Sequence, residues 1–506
     1  MFNHPMLGNM TKEDREVFAR ELRKALAGEN GYIGPNGEKI EKTTASNTGV
    51  TTGLGLLGYP LEAPAKLLYP VPTPLRNSIP RQTVGGSAVN YRKVTDINKA
   101  LLWGSVAEAT SSTTGRNSFV SFAEADVALN FKSVQMETLI TPEAQFGANS
   151  LLTPGQDFQA MEFATLSLLQ NTMLAEERLD LGGNITALGK VTGVTKTGVT
   201  QAATGVGSLS NGTNYYIYVT ARTLYGNLAN VIGQGGTGSD QSGETTGDEF
   251  TIATTAGGNA GDESITITWA ALKGAVDYNV YIGASSGVAN AKYYGTYTAP
   301  TALIESVPST ARPNGADKTA NALDYDGLVA LCAVSGAGYY KDLAGATLTG
   351  DSTTGVAELD DAFLSFWNSY KVSPDVIWVN ATQKKKIDTI VLGSAAPIVR
   401  IEGQAGDLNF TGTLAVKSVM NRYLGVEVPV KVHPFLPAGT MLMVGNNLGP
   451  YYPNARIANN VVKMLGWDYR KIDFALAKRA QEMGIDFRGA LLNYAPFAMG
   501  VIQSVA

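Results

Sequence analysis

The amino-acid composition changes abruptly at about residue 190 and changes back at about residue 315. Between these points the chain is rich in Gly, Thr, Ser and Ala, and short β-rich runs such as YYIYVTA and ITITWAALKGAVDYNVYIG are separated by glycine-rich turns. Strand runs separated by such turns are typical of a β-sandwich. Because the sequence on either side has a different, mixed character, we expect residues 190–315 to form a sandwich domain inserted into another domain.

Aromatic side chains in this insert have two interpretations. The runs resemble fibronectin type III or immunoglobulin-like modules, in which Trp269 fills the core and Tyr278 and Tyr281 alternate on a neighbouring strand. A buried ring adds apolar area to a core, whereas an exposed ring can stack on a sugar. We favour the core position for Trp269, and we expect three tyrosines to be exposed on the insert: Tyr293, Tyr294 and Tyr297.

The first 75 residues predict a short helix followed by an extended arm. Residues 11–27 are amphipathic, with Thr11 as the capping residue. The GLGLLG run at 53–58 has the spacing of a dinucleotide-binding loop, but such a loop needs a strand before it and a helix after it. No apolar run precedes it, and prolines follow it at 60, 64, 70, 72 and 74. We therefore interpret residues 1–75 as a helix and an arm that lies on another subunit.

Residues 76–150 predict an extended hairpin with neighbouring strands. Two segments alternate as strands do, 88–97 and 126–139, and a polar tip at 111–117 lies between them. Two strands that flank a long excursion indicate a β-hairpin that extends from the body.

The clearest helix covers residues 154–181, inside a predicted segment 151–189. Thr153, Pro154 and Gln156 form a capping start, and the Gly-Gly-Asn run at 182–184 ends the helix. At 1.5 Å per residue this helix is about 42 Å long, enough to be the backbone of a domain. Its apolar face consists of residues at helical spacing: Phe158, Met161, Leu168, Leu169 and Met173.

After the insert, helical and strand-like segments mix without a regular βαβ rhythm, so the predicted fold class is α+β. The apolar strand DVIWVN leads to a helix capped by Asn380, and the runs VEVPVKVHPF and GTMLMVGN predict later strands. We divide this part into a domain at 316–430 and C-terminal strands at 431–506.

Composition argues against several classes of function. The net charge is −5 and the sequence pI is about 5.4, whereas a surface that holds nucleic acid needs a basic footprint. The charged fraction of 16% is low, which fits a protein that buries much of its surface against neighbours. No apolar run reaches the length of a membrane span, and the start lacks the apolar core of a secretion signal.

No residue pattern predicts a catalytic, cofactor or metal site. Cys332 lies in an apolar helical pattern and is interpreted as a small buried apolar residue. His4 and His433 are far apart, and each precedes a proline, which indicates turn or strand-end positions. We therefore expect no enzyme activity. Neighbouring carboxylates on helical stretches are interpreted as solvated or ion-paired faces: Glu176 with Glu177, and Asp360 with Asp361.

The order of these parts resembles the major capsid protein of tailed bacteriophages, in which an arm, an extended hairpin, a spine helix, a peripheral domain and an axial domain follow one another. The segment from Thr73 through Ala144 matches the hairpin region, Thr153–Asn184 matches the spine helix, and SPDVIWVNATQKKKI matches an axial strand and helix. LGVEVPVKVHPFLPAGTMLMVGNN and RGALLNYAPFAMGVIQ are similar to the last strands of the family. The resemblance covers the chain outside 190–315.

The resemblance implies a structural subunit that assembles with itself into hexamers and pentamers of an icosahedral head around double-stranded DNA. Axial domains around residues 320–430 would form these rings, and the arm and hairpin would lie across neighbours. The implied partners are a separate scaffolding protein, a portal protein, cement proteins, and packaged DNA through weak non-specific contact. The implied location is the virion, assembled in the bacterial host cytoplasm without a membrane. Because the N-terminal helix is short, we expect no cleavage of a scaffolding segment.

An alternative class is a cell-surface or fibre adhesion protein whose immunoglobulin-like module binds glycans. That class predicts a repeated β module and a secretion signal, whereas the sequence has one insert and no signal. The insert keeps two open interpretations: surface decoration that adds contacts between capsomers, or weak attachment to host glycans. Some members of the capsid family carry lysine-asparagine links between subunits, but no residues here identify such a link.

Overall fold

The computed structural model describes twelve stretches of the chain: residues 72–97, 122–143, 160–201, 207–230, 243–254, 263–309, 317–333, 338–351, 355–393, 416–448, 459–474 and 480–506. Helices and strands mix irregularly along these stretches, which confirms the α+β class. The predicted helix at 11–27, the GLGLLG run, the hairpin tip and the helix start at Thr153 lie outside the described residues. Among the helices in these stretches, none is long and apolar enough to cross a membrane.

The chain divides into two compact units. The smaller unit comprises residues 1–68, 137–167 and 473–483. In its described part Ile140 and Ala164 are buried, and the Thr165 hydroxyl donates a hydrogen bond to the Met483 sulfur at 3.3 Å. The larger unit comprises residues 69–136, 168–472 and 484–506, and it contains the side chains discussed below.

The predicted hairpin is present, with a correction to its second strand. Strands β2 (Ala88–Ile97) and β3 (Phe122–Asn130) pair antiparallel from Ala88 opposite Asn130 to Ile97 opposite Phe122. The predicted strand at 126–139 is wrong in its bounds, because the chain turns at Phe131 and continues as β4 (Lys132–Ile140) in another sheet. Phe131 breaks the alternation because its ring is buried in the core.

The first sheet has the strand order β1-β19-β20-β4. A short helix, α1 (Pro74–Ser78), precedes this sheet in the chain. Strand β1 (Arg81–Thr83) runs parallel to β19 (Val461–Asp473), and β20 (Gln481–Asn493) lies between β19 and β4. Strands β19 and β20 have 13 residues each.

The long helix α2 covers Ala160–Gly182, and its end at the Gly-Gly-Asn run confirms that part of the prediction. A Cβ on Gly182 would lie 2.2 Å from Leu224 Cδ2, and one on Gly183 would lie 2.2 Å from the Tyr325 carbonyl oxygen. Glycine is therefore required at both positions by the close approach of neighbouring segments. The predicted apolar face is incomplete, because carboxylates at Glu176, Glu177 and Asp180 are as buried as Leu168 and Leu174.

The insert is a two-sheet sandwich of antiparallel strands, as its sequence predicts. A core that includes Ile217, Ile265, Val280 and Trp269 lies between the sheets. One sheet has the order β10-β9-β6-β7: β10 (Lys292–Tyr297), β9 (Asp277–Gly283), β6 (Asn214–Arg222) and β7 (Phe250–Ala253). The other has the order β11-β8-β5: β11 (Thr301–Ile304), β8 (Glu263–Thr268) and β5 (Thr195–Gln201).

Two residues from the insert belong to the core of the body and not to the core of the sandwich. Leu224 begins the short helix α3 (Leu224–Leu228), and Val276 precedes β9. Both side chains pack in the cluster that contains Leu181, Leu328 and Leu491. The insert is therefore joined to the body by packing as well as by its two connections.

The C-terminal half is built on a six-stranded mixed sheet with the order β12-β21-β18-β15-β17-β16. Its strands are β12 (Tyr339–Asp342), β21 (Met499–Gln503), β18 (Met441–Val444), β15 (Val376–Val379), β17 (Val426–Val432) and β16 (Ser418–Asn421). Alternate residues of β15 enter different cores: Trp378 packs on one face, and Ile377 and Val379 pack on the other. Burial on both faces explains the continuous apolar run VIWV.

Helices flank this sheet. They are α4 (Leu328–Ala333), α5 (Ala357–Tyr370) and α6 (Ala381–Gly393), with a short β13–β14 pair (Gly350–Asp351 and Gly355–Val356) before α5 and a 3₁₀ turn (Pro496–Ala498) before β21. Asn380 Oδ1 accepts a hydrogen bond from the Thr382 amide at 2.9 Å, which confirms the predicted cap of α6.

Candidate assembly site: the anchor of the arm and hairpin

The short helix α1 is held by a buried carboxylate of the long helix. Glu177 Oε1 accepts a hydrogen bond from the Leu75 amide at 2.8 Å, and Oε2 accepts one from the Arg76 amide at 2.7 Å. The Glu177 side chain is fully buried. A carboxylate that accepts the free amides at a helix start stabilises that start, so Glu177 fixes the position of α1 on α2.

Glu176, the neighbour of Glu177, binds the two arginines that flank the end of α1. Arg76 Nε lies 3.0 Å from Glu176 Oε2, and Arg81 Nη1 lies 2.8 Å from Glu176 Oε1. Arg81 also reaches Asp468 at 2.7 Å, and the Tyr469 hydroxyl donates to Glu176. These contacts connect the segment after the arm to both α2 and β19.

Two further buried groups complete this charge cluster, which we define as Glu176, Glu177 and Asp180 with their partners. The His433 Nε2 lies 2.7 Å from Glu177 Oε1, and both side chains are fully buried. Lys463, only 1% exposed, contacts Asp180 and lies 3.4 Å from Glu176 Oε1. Removing one partner from such a buried network leaves another charge without compensation, which lowers the stability of the fold.

Burial and charge act in opposite directions on the two carboxyls nearest Lys463. Desolvation raises the pKa of Asp180 despite the attraction of Lys463. Desolvation also opposes the charge of Glu176, yet Lys463, Tyr469 and Arg81 together lower the pKa of Glu176. Glu176 therefore holds its charge more firmly than Asp180 does.

The inner face of the hairpin packs on the body. Tyr91 meets Tyr494 edge to face, with ring centroids 5.4 Å apart, and Val89 and Leu129 lie against the same core. The Val94 amide donates to the Tyr494 carbonyl at 2.8 Å. The outer face is polar, with Arg92 paired to Asp126 at 2.8 Å in an exposed position. The base of the hairpin is thus fixed where the segment 98–121 departs.

The sequence interpreted Glu176 and Glu177 as a solvated or ion-paired face. The solvated alternative is wrong, because both side chains are fully buried, while the ion-paired alternative is right. Asp360 and Asp361 are also ion-paired, to Arg422 at 2.7 Å and to Lys341 at 2.8 Å. No local signal distinguishes the two pairs, since the partners of Glu176 lie about a hundred residues or more away in sequence.

The remaining residues singled out from the sequence occupy structural positions. Cys332 is buried in α4, as expected, and burial raises the pKa of its thiol. His433 follows the last residue of β17, which confirms a strand-end position. His4 lies outside the described residues.

In the insert, Trp269 and Tyr278 meet edge to face at 5.4 Å inside the sandwich core, as predicted, and Tyr281 packs in a separate cluster. The expectation that three tyrosines are exposed is wrong, because Tyr293, Tyr294 and Tyr297 are half-buried. The Tyr294 hydroxyl accepts from the Glu305 amide at 3.0 Å, and burial raises the pKa of Tyr297 to about 12. These rings pack against the sandwich, so they offer less free surface for stacking on a sugar.

Two small cavities lie in the described part of the chain near Gly182 and Thr223, where the insert meets the body. Each has a volume of about 10 Å³ and has room for about one water molecule. In that same part of the chain no cluster of three or more His, Cys, Asp or Glu side chains is placed to hold a metal ion.

No family model matches the sequence, and no curated protein matches it. Among solved structures, the chain is similar to the Cyanophage A-1(L) capsid, with 9% identity, a TM-score of 0.40, and coverage of 88% of this chain and 96% of that one. It is similar to the capsid of a native GTA particle, with 10% identity, a TM-score of 0.38, and coverage of 91% and 100%. An encapsulin complex from Synechococcus elongatus PCC 7942 matches with 9% identity, a TM-score of 0.35, and coverage of 88% and 95%. The first two of these structures are capsids.

Proposed function

We propose that this chain is the subunit of a closed protein shell, a major capsid protein that assembles into hexamers and pentamers of an icosahedral phage head around double-stranded DNA. The observation that carries the proposal is the charge cluster. Two buried carboxylates of α2, Glu176 and Glu177, hold α1 and Arg81, the residues that follow the predicted arm, and a third, Asp180, binds Lys463 of β19. Separating the partners of a buried pair leaves a charge without compensation, so these contacts resist displacement of the segment that they hold.

The hairpin supports the same proposal. Its pairing continues to Ile97 opposite Phe122, so both ends of the segment 98–121 leave the body at one place. In the proposed shell this segment and the arm lie across neighbouring subunits, and the axial domain forms the rings. Many contacts of modest strength then add up over a closed shell, as in multivalent binding.

We infer the location and partners from the proposed function. The subunit resides in the virion after assembly in the bacterial host cytoplasm, and a separate scaffolding protein, a portal protein and cement proteins act with it. The net charge of −5 supports only weak, non-specific contact with packaged DNA. We assign no catalytic role.

We further propose that residues 190–315 form an immunoglobulin-like module on the outer surface of the shell. Its entry and exit connections lie side by side, since Asn184 Nδ2 donates to the Thr319 carbonyl at 3.1 Å and the Leu188 amide donates to Thr319 Oγ1 at 2.9 Å. Adjacent connections are what an insertion into a loop of another domain requires. The other domain bounds proposed from the sequence are kept: 1–75, 76–150, 151–189, 316–430 and 431–506.

Sedimentation of a hairpin variant tests the proposed function. Replacing 98–121 with a short Gly-Ser linker should leave a folded chain, by circular dichroism, that no longer sediments as shells. The matched control shortens the glycine-rich segment at 231–242 and should sediment as the wild type does. Shells of unchanged size from the hairpin variant would contradict the role given to this segment.

A further inference from the structure

A lysine and two carboxylates meet in the part of the charge cluster that is least exposed to solvent. Lys463 extends from β19, and its Nζ contacts Asp180 Oδ1 and lies 3.4 Å from Glu176 Oε1. Glu176 and Asp180 are four residues apart on α2, so their side chains share one face of the helix. All three side chains are at most 2% exposed. An amine and a carboxyl group are therefore held in contact away from water.

Aromatic groups enclose this pair. The Tyr325 hydroxyl donates to Asp180 Oδ1 at 2.5 Å, and Lys463 Nζ lies 4.2 Å from the centre of the Tyr325 ring and 5.3 Å from that of Phe487. Tyr325 and Phe487 are themselves buried. Such surroundings disfavour separated charges, and a hydrogen-bond donor fixed on a carboxyl oxygen is placed to stabilise negative charge that develops there.

The surroundings of the two carboxyls assign them different roles. Desolvation raises the pKa of Asp180, which stabilises the protonated carboxyl that an amine can attack, while Lys463, Tyr469 and Arg81 lower the pKa of Glu176 against its burial and keep this neighbour ionised. The reaction requires a proton to pass from Lys463 to Asp180 within the contact pair. Glu176 then provides a base within reach of the amine nitrogen.

We propose that Lys463 and Asp180 condense autocatalytically to an intramolecular amide, with Glu176 as the proton shuttle and Tyr325 as the donor to the carbonyl oxygen. The Nζ lone pair forms a bond to Asp180 Cγ, and Glu176 accepts a proton from the nitrogen. Glu176 then delivers that proton to the departing hydroxyl, the C–O bond breaks, and one water leaves. No oxidant, reductant or co-reactant is needed, and groups fixed in contact react at effective concentrations of roughly 10⁵ M or more.

The bond would tie α2 covalently to β19, beside the residues that hold the segment after the arm. It lies within one chain, and it does not depend on the proposed shell function. Its product is an amide in place of a buried ion pair, which removes two charges from the protein interior.

Mass spectrometry of the purified full-length chain under denaturing conditions tests the proposal. The expected intact mass is that of the sequence less one water, and digestion should release a branched peptide that joins the segments containing Asp180 and Lys463. A wild-type chain with the full sequence mass would overturn the proposal and leave a buried ion pair. A mass lower by one water would also overturn the proposal if digestion located the loss at residues other than Asp180 and Lys463.

Two variants separate the roles. Lys463→Met removes the nucleophile, and its mass should equal that of its full sequence. Glu176→Gln keeps both reacting groups but removes the base, so the branched peptide should form about 100-fold more slowly or more slowly still. Formation at the wild-type rate in Glu176→Gln would exclude Glu176 as the proton shuttle.

Discussion

Glu177 connects three parts of the chain through one side chain. Its two oxygens accept from the Leu75 and Arg76 amides, and one of them also meets the buried His433 ring. Each partner is distant in sequence, so the geometry depends on the completed fold. A carboxylate in this position determines both where α1 begins and how it sits on α2.

We expect Glu177→Gln to lower the free energy of unfolding by about 3 kcal/mol. The neutral glutamine side chain would replace a fully buried carboxylate that contacts two backbone N–H groups and the His433 ring. Urea denaturation followed by circular dichroism measures the change. The matched control is Glu124→Gln on the hairpin, where the pair with Arg92 is exposed to solvent and contributes little to stability. Equal effects of the two substitutions would contradict the anchoring role of Glu177.

Asp324 gives the fold a dependence on pH. Burial raises the pKa of this carboxyl from 3.8 to about 6. The folded state therefore binds a proton more tightly than the unfolded state, and the contribution of Asp324 to stability is lost as the pH rises through 6.

Asp324→Asn should thus be more stable than the wild type at pH 7, and the difference should vanish below pH 3.8, where Asp324 is protonated in both states of the wild type. Thermal unfolding across this range measures it. Asp126→Asn, at an exposed position, serves as control. A difference in stability between Asp324→Asn and the wild type that stays constant with pH would contradict the raised pKa of Asp324.

Residue burial could be predicted from the sequence where it depends on local pattern, and not where it depends on distant partners. Cys332 and Trp269 stand in apolar runs, and both are buried. Glu176 and Lys463 read as surface residues in any local window, because the charges that compensate them come from segments 95 or more residues away. Tyr294 illustrates the converse, since its apparent surface position is closed by the backbone of Glu305.

At the scale of elements, α3 joins the insert to the body. Leu224 is buried against Gly182 at the end of α2, whereas Leu228 on the same helix is 39% exposed. Deleting 190–315 would remove Leu224 and Val276 from the main core, so failure of such a deletion to assemble would reflect lost packing and not a role in the shell.

Leu224→Ala should lower the free energy of unfolding by about 2 to 5 kcal/mol, because the truncation leaves a cavity in the main core. Leu228→Ala should change it by less than about 0.5 kcal/mol. Urea denaturation of both variants supplies the comparison. A small loss for Leu224→Ala would mean that the insert is joined to the body by its connections alone.

The hairpin base offers a second test among the elements. Tyr91→Ala removes the ring that packs on Tyr494, and we expect faster amide hydrogen exchange along β2 and β3 while other sheets keep their protection. Arg92→Ala, on the exposed face, should leave exchange nearly unchanged. Unaltered exchange in Tyr91→Ala would show that this contact does not hold the hairpin.

Helices and strands were predicted best where the sequence carries a clear local signal, such as a capping residue, a glycine run or regular alternation of apolar residues. The end of α2, the cap of α6 and the sandwich strands follow the expected pattern. The boundary between β3 and β4 was missed, although the alternation changes phase at Phe131: Val127, Leu129 and Phe131 are two residues apart, and the next apolar residue follows three positions later, at 134. The packed core shows that the chain changes sheet there. The order of strands in the six-stranded sheet has no local signal, since it combines segments from residue 339 to residue 503.

At the scale of the whole molecule, three sets of contacts tie distant segments of the larger unit together. The charge cluster holds α1, the Tyr91–Tyr494 contact holds the hairpin, and α3 with the paired connections holds the insert. In the proposed shell, a chain with 16% charged residues forms many interfaces of modest strength.

Electron microscopy of the purified full-length chain, expressed alone and together with a candidate scaffolding protein, shows whether the chain assembles into shells. We expect closed shells of uniform diameter in at least one of the two preparations, with protrusions where the insert lies. Soluble monomers in both preparations, without rings or shells, would contradict the proposed function and favour the adhesion alternative.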